Sequence, residues 1–288
     1  MDILFITHLL NSLLMIAMPV GLALFLTHKF KLGWRLWWIG AATFVLSQVG
    51  HIPFNVLVTP LFNRPTIVAL QPTTQTWIQA IFLGLSAGLF EELFRYGMFR
   101  WWARDARSWR KGLLTGAGHG GAEAIILGAL ALYGFIQLAV LRHADLSKIF
   151  PASQLSLAER QVQAYWSTPL PISLLGALER FLTIPIQISL AVIVVQTFIR
   201  KQWFWVWLAV LYHAVIDATA VAGSAYVKGA WLEVFVAFFA VISVVIIFGL
   251  RRPESPEPAQ PEPLPPQPVL DLQPVEESEK KLQDTRFE

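Results

Sequence analysis

Seven runs of apolar residues organise the chain, near 3–27, 34–59, 77–100, 112–141, 172–199, 203–224 and 230–250. At ~1.5 Å per helical residue, each is of the length needed to cross the ~30 Å of hydrocarbon in a bilayer. The pattern predicts an all-α polytopic bundle of about seven transmembrane helices. Between the fourth and fifth runs lies a long loop, 142–171, with room for structure of its own. Ser156 and Glu159 have capping-box spacing there, and Thr168-Pro169 would end a helix begun at that point. Tyr165 and Trp166 suit a membrane interface, so a short helix on the outer surface is expected.

One run breaks the apolar rule. Gly84-Leu-Ser-Ala-Gly88-Leu-Phe-Glu91-Glu92-Leu-Phe-Arg95 places two carboxylates and a guanidinium inside the third span. At ~2.5–3.5 kcal/mol per charge at mid-helix, the three together oppose insertion by roughly 8–10 kcal/mol. The ten Ile, Leu and Phe residues between Ile78 and Phe99 return only ~0.3–0.6 kcal/mol each. Facing lipid, the segment is not tenable; facing inward, toward water or partner helices, it is. Positions 84, 88, 91 and 95 form one helical stripe, and its two glycines allow a neighbouring backbone to come close.

Two later spans repeat the theme. The fourth begins Gly112-Leu-Leu-Thr-Gly116-Ala-Gly-His119-Gly-Gly-Ala-Glu123, with small residues beside ionisable ones on one face. The sixth carries Tyr212-His213-Ala-Val-Ile-Asp217. In each, a His and a carboxylate stand four apart, within reach of a common ion or water. Counted at ~1.5 Å per residue from the basic ends, Glu91 lies ~13 Å deep, His119 ~10 Å, Glu123 ~16 Å and His213 ~15 Å. A single polar layer shared by three helices is expected. Glu179-Arg180 on the fifth span sits nearer the other end and reads as a structural or substrate-path pair. His51 reads as a core histidine outside this layer, and His8 and Glu233 as end residues.

Composition fits the membrane reading: of 288 residues, 55% are hydrophobic and only 14% charged, against roughly one-quarter charged in soluble domains. The formal charge of +3 hides an asymmetry. Residues 1–252 hold nineteen Lys/Arg against ten Asp/Glu, and residues 253–288 hold three against nine. The basic excess belongs to the membrane part, where it signals orientation rather than nucleic acid. Lys29, Lys31 and Arg35, then Arg100 to Lys111, then Arg200 and Lys201, then Arg251 and Arg252 mark one set of helix ends. The positive-inside rule therefore puts the N-terminus outside and the C-terminus in the cytoplasm. From Pro253 the chain turns proline-rich and acidic, which predicts a disordered tail after a transmembrane domain of 1–252. With no cysteine at all, disulfides, thiolate metal sites and a cysteine nucleophile are excluded.

The chemistry left open by these groups is hydrolytic. One glutamate pairs with Arg95 and the other is free to take a proton from water. His119 and His213 either bind Zn²⁺ with Glu123 or Asp217, or act without metal, orienting water and donating to an oxyanion. A proton- or ion-coupled transporter, or a scaffold whose polar layer only specifies packing, would use the same residues.

Glu91-Glu92-Leu-Phe-Arg95-Tyr, Gly118-His119-Gly-Gly-Ala-Glu123, Glu179-Arg180 and His213-Ala-Val-Ile-Asp217 together resemble the YhfC family of intramembrane metalloproteases. That family is related to the CAAX prenyl protease and bacteriocin-processing enzymes (CPBP, or Abi) and to the PrsW proteases. The resemblance covers about residues 77–220. It implies an active site open toward the cytosolic leaflet, with Glu91 activating water and Glu92 and Arg95 supporting it. It further implies that His119 shares the water or metal, and that His213 and Asp217 assist in metal binding or oxyanion stabilisation. Arg95 follows Glu92 one position earlier than in the usual CAAX pattern. Asp217 stands where those enzymes usually have Asn, and Thr115 where they have Phe. These departures favour the YhfC branch over a prenyl-protein substrate. The expected partners are membrane lipids and a membrane-associated peptide or protein, and the expected location is the bacterial plasma membrane.

Overall fold

A computed structural model describes residues 2–251; the tail expected from 253 lies outside them. The described residues are mostly helical, with no strand among them. They form α1 (Ile3–Phe30), α2 (Arg35–Val58), the one-turn α3 (Pro65–Val68), α4 (Pro72–Gly97), α5 (Trp109–Leu141), α6 (Ala152–Trp166), α7 (Leu175–Ile199), α8 (Phe204–Tyr226) and α9 (Ala230–Gly249). Seven helices are long and apolar enough to cross a membrane, within a few residues of the runs read from the sequence. The chain is a multi-pass integral membrane protein.

Local chemistry explains where these helices start and stop. Asp2 caps α1, its carboxylate accepting from the Leu4 amide at 3.1 Å. Lys31 ends α1 in the left-handed conformation at φ 54°. Pro72 occupies the first turn of α4, where a missing N–H removes nothing. The loop helix exists but starts earlier than the capping box predicts. Pro151 is the N-cap residue of α6, so Ser156 and Glu159 fall inside the helix rather than at its head. The proline, its φ held at −60° by the ring and with no N–H to lose, fixes the entry more than a turn before Ser156 can. α6 docks on the bundle through Trp166, whose indole N–H donates to the Leu138 carbonyl at 3.0 Å. Its Tyr165 stacks on His8 with ring centroids 4.0 Å apart. His8, read as an end residue, is therefore a buried docking group, and Glu233 is likewise buried.

In lipid, burying apolar surface supplies little drive, so helix pairing rests on close packing. α7 is the most enclosed helix and packs against α1, α5, α8 and α9, while α5 also packs on α1 and α2, and α4 on α8 and α2. Two glycines show how close the backbones come. A Cβ added to Gly118 on α5 would stand 2.0 Å from the Trp37 carbonyl oxygen of α2, and one on Gly88 of α4 would stand 2.6 Å from that of Val210 on α8. The Gly88 contact seats α8 directly against the charged stripe of α4.

Candidate functional site

The polar layer is assembled. Glu91 and Glu92 are consecutive on α4, about 100° apart around the helix, and the two carboxylates go to different partners. Glu92 is wholly buried, accepting from Arg95 Nη1 with both oxygens at 3.0 Å. It also accepts from His213 Nδ1 at 2.8 Å. Glu91 turns the other way, with its Oε2 3.0 Å from His119 Nε2 and 4.0 Å from His213 Nε2. Gln48 Nε2 of α2 donates to its Oε1 at 2.9 Å. Arg95 thus grips Glu92 and leaves Glu91 to the two imidazoles.

A second chain of contacts ties this centre to α7. Arg95 Nη2 donates to Gln187 Oε1 at 2.6 Å, and Gln187 Nε2 donates to Glu123 Oε2 at 3.0 Å. Arg180 Nη1 donates to Glu123 Oε1 at 2.6 Å, and its Nη2 pairs with Glu179. This arrangement corrects one expectation. The sequence offers Glu123 as a metal ligand beside His119, four residues earlier, but both its oxygens are engaged by α7. Spacing of four places two side chains on one stripe; it does not make them share a partner. Glu179-Arg180 holds this chain in place rather than joining the imidazoles. Asp217 stays near them, its Oδ2 3.5 Å from His213 Nε2.

The site includes residues that the sequence did not single out. His51, read as a core histidine, lies beside the centre: its Nδ1 is 3.3 Å from Gln48 Oε1, its Nε2 accepts from Asn55 Nδ2 at 2.9 Å, and Ser86 Oγ is 3.1 Å away. Because Gln48 spends its amide N–H on Glu91, its Oε1 takes the Nδ1–H of His51, which fixes that ring's tautomer. The only signal in the sequence was polarity at positions 48, 51 and 55, a helical stripe on an otherwise apolar span. Gln48, His51, Glu91, Glu123 and Asp217 together edge a cavity of about 510 Å³ whose other walls include Phe44, Ile126 and Leu130.

The metal question can be tested on these donors. A tetrahedral zinc with ~2.0–2.1 Å bonds separates its ligands by roughly 3.3 Å. The Glu91–His119 and Glu91–His213 separations of 3.0 and 4.0 Å bracket that spacing, with Asp217 at 3.5 Å from His213. His213 donates its Nδ1–H to Glu92 and so turns the Nε2 lone pair inward, the carboxylate–histidine arrangement typical of metal ligands. His119 Nδ1 is buried with no hydrogen-bond partner among the described residues. The donor chemistry fits a zinc. The residues are not drawn into a closed cage, however: no group of three or more His, Asp or Glu among the described residues stands ready to hold an ion.

Seven apolar helices around a buried cluster of carboxylates and imidazoles define a polytopic membrane protein with a polar centre inside the bundle. The sequence matches the YhfC intramembrane metalloprotease family over residues 14–244, and the chain belongs to that family. It is 30% identical over 251 residues to the uncharacterised membrane protein YhfC of Bacillus subtilis (strain 168), covering 84% of this chain and 95% of that relative. No solved structure matches it.

Proposed function

We propose that the protein is an intramembrane peptidase in which Glu91 takes a proton from the water that attacks a peptide carbonyl. The observation that carries this reading is the convergence of His119 Nε2 and His213 Nε2 on Glu91 Oε2, at the wall of a cavity inside the bundle. Glu91 is the group free to act as base, because Arg95 and His213 Nδ1 already saturate Glu92. Water oxygen bonds to the carbonyl carbon, the C–N bond breaks, and the proton held at Glu91 passes to the departing amine. His119 and His213 orient the water and face the developing oxyanion. His119 and His213, with Asp217 beside them, are the residues that would hold zinc, leaving Glu91 as the base. A bound zinc would polarise the carbonyl and acidify water. Glu92 and Arg95 keep His213 in its tautomer, and Gln48 steadies Glu91.

The reading extends to setting. The substrate is a peptide or protein segment in or next to a membrane, and lipids surround the bundle. The arginine-rich helix ends face the cytoplasm of a bacterial plasma membrane, with the N-terminus outside. The test is to purify the wild type with Glu91→Gln and His119→Ala variants, then measure folding, bound zinc and cleavage of a panel of membrane peptides. Folded variants that no longer cleave support a peptidase. A wild type that cleaves nothing, with wild type and variants alike in substrate-dependent ion flux in liposomes, removes it.

A further inference from the structure

The cavity at Glu91 does not open toward the arginine-rich helix ends, which the family resemblance had implied. On that side Arg95, Met98, Phe99 and Leu114 are fully buried and close the bundle. In the other direction the space continues. A second cavity of about 470 Å³ shares Gln48, His51 and Ile52 with the first and runs on past Asn55 to Thr59 and Pro60. Counted from Arg35 at ~1.5 Å per residue, Gln48 lies ~20 Å and Thr59 ~36 Å along α2, so the two cavities extend from mid-membrane to the far end.

The shape follows from one crossing. α2 and α5 touch backbone to backbone at Gly40 and Gly118, where an added Cβ would stand 2.0 Å from Thr115 or Trp37 oxygen. Beyond that point residues of both helices line a space between them: Val45 and Ile52 on α2, Ile126, Leu127 and Leu130 on α5. These side chains are exposed, Leu130 to 60%, at depths where the surroundings are lipid. Along one edge run Gln48, His51 and Asn55; Asn55 Oδ1 is buried with no partner among the described residues. The cleft therefore has mostly apolar walls and a polar edge of Gln48, His51 and Asn55, with Glu91, Glu123 and Asp217 also on its lining.

Resting on the peptidase reading, we infer that the substrate is an extended, mostly apolar segment of a membrane protein that enters sideways from lipid between the diverging halves of α2 and α5. It arrives from the end opposite the arginine-rich loops. The apolar walls take its side chains, and Asn55, held by His51 and with its Oδ1 unpartnered among the described residues, accepts a hydrogen bond from one of its peptide groups, which a lipid tail could not supply. Its scissile bond meets Glu91 from the outer half of the bilayer.

The absence of cysteine makes the test direct. Single cysteines are placed at Gln48, Asn55, Thr59 and, as the marker of the arginine-rich face, Arg104. A membrane-impermeant maleimide is then applied to right-side-out and inside-out vesicles. Labelling of Gln48→Cys, Asn55→Cys and Thr59→Cys from the face opposite Arg104→Cys is expected. Labelling of Gln48→Cys and Asn55→Cys from the Arg104 face, or of neither from either face, overturns the route. Asn55→Cys carries the result if Gln48→Cys does not fold. In a Glu91→Gln background, a photoreactive residue at Leu130 should cross-link a synthetic biotinylated transmembrane peptide several-fold more than one at Val245 on the far side of the bundle. Equal yields overturn the lateral entry. Neither readout needs turnover. Labelling as expected with no cleavage removes the peptidase and leaves the opening; labelling from the wrong face with cleavage intact does the reverse.

Discussion

Replacing Gly88 by Ala should separate the two helices that carry the site. The new Cβ would stand 2.6 Å from the Val210 carbonyl oxygen, and ordinary contact begins near 3.4 Å. α4 and α8 must therefore part by about 0.8 Å, or the backbone must distort by a like amount. The hydrogen bond from His213 Nδ1 to Glu92 spans the same interface at 2.8 Å. Stretched to ~3.6 Å it falls outside hydrogen-bond range. Overpacking of this kind opposes folding by ~1–3 kcal/mol, and losing a hydrogen bond to a charged group by ~1.5–3 kcal/mol. Set against the ~0.5–1 kcal/mol by which Ala favours a helix over Gly, the net loss is ~1.5–5.5 kcal/mol. For a chain this size that corresponds to a fall in Tm of roughly 3–22 °C. Thermal unfolding in detergent measures it, with Gly134→Ala as the control. Gly134 lies in α5 with nothing within 4 Å of an added Cβ, so that variant should melt at or slightly above the wild type. If Gly88→Ala and Gly134→Ala melt together, the close contact of α4 and α8 is not what holds His213 in place.

Three further outcomes follow from the same contacts. Arg95→Met leaves the buried Glu92 without its cation and should destabilise by ~3–5 kcal/mol in thermal unfolding, with Glu92→Gln added to it recovering most of the loss. Gln48→Leu removes a donor to the Glu91 carboxylate and the acceptor for His51 Nδ1–H, while leaving His119 and His213 beside Glu91. At ~1.5–3 kcal/mol for such a bond, kcat/KM for a cleaved peptide should fall roughly 10–150-fold with little change in Tm. Chelation should abolish cleavage and added zinc restore it, while Glu92→Gln, which loosens the tautomer lock on His213, should weaken zinc binding ~10–100-fold by metal titration.

Much of the fold was legible because lipid imposes simple rules. Uninterrupted apolar runs gave the seven helices, and the charges that could not face lipid marked the interior. Glu91, Glu92, His119 and His213 stood out for that reason, and the glycine stripe at 84 and 88 announced the close approach of a neighbour. What stayed hidden was pairing between neutral or distant groups. Gln48 and His51 are neutral, so their polarity in α2 did not by itself point to the site, and the partner of Gln48 is 43 positions away. Glu123 looked committed to His119 by spacing, yet its partners, Arg180 and Gln187, are 57 and 64 positions downstream. The start of α6 went to Pro151 because a proline's backbone restriction outranked a capping box more than a turn later. Which residues of α2 and α5 line the cavity beyond Gly118 depends on how the two helices pack, which periodicity does not encode.

The central claim is that the Glu91 carboxylate performs the chemistry, and one comparison tests it most directly. Wild type, Glu91→Gln and the α6 variant Glu159→Gln are purified in the same detergent, matched for Tm, and assayed by mass spectrometry for cleavage of a panel of membrane peptides. Glu91→Gln should cleave ~10²–10⁴-fold more slowly than the wild type, with Glu159→Gln unchanged. Cleavage by folded Glu91→Gln at the wild-type rate would contradict the account.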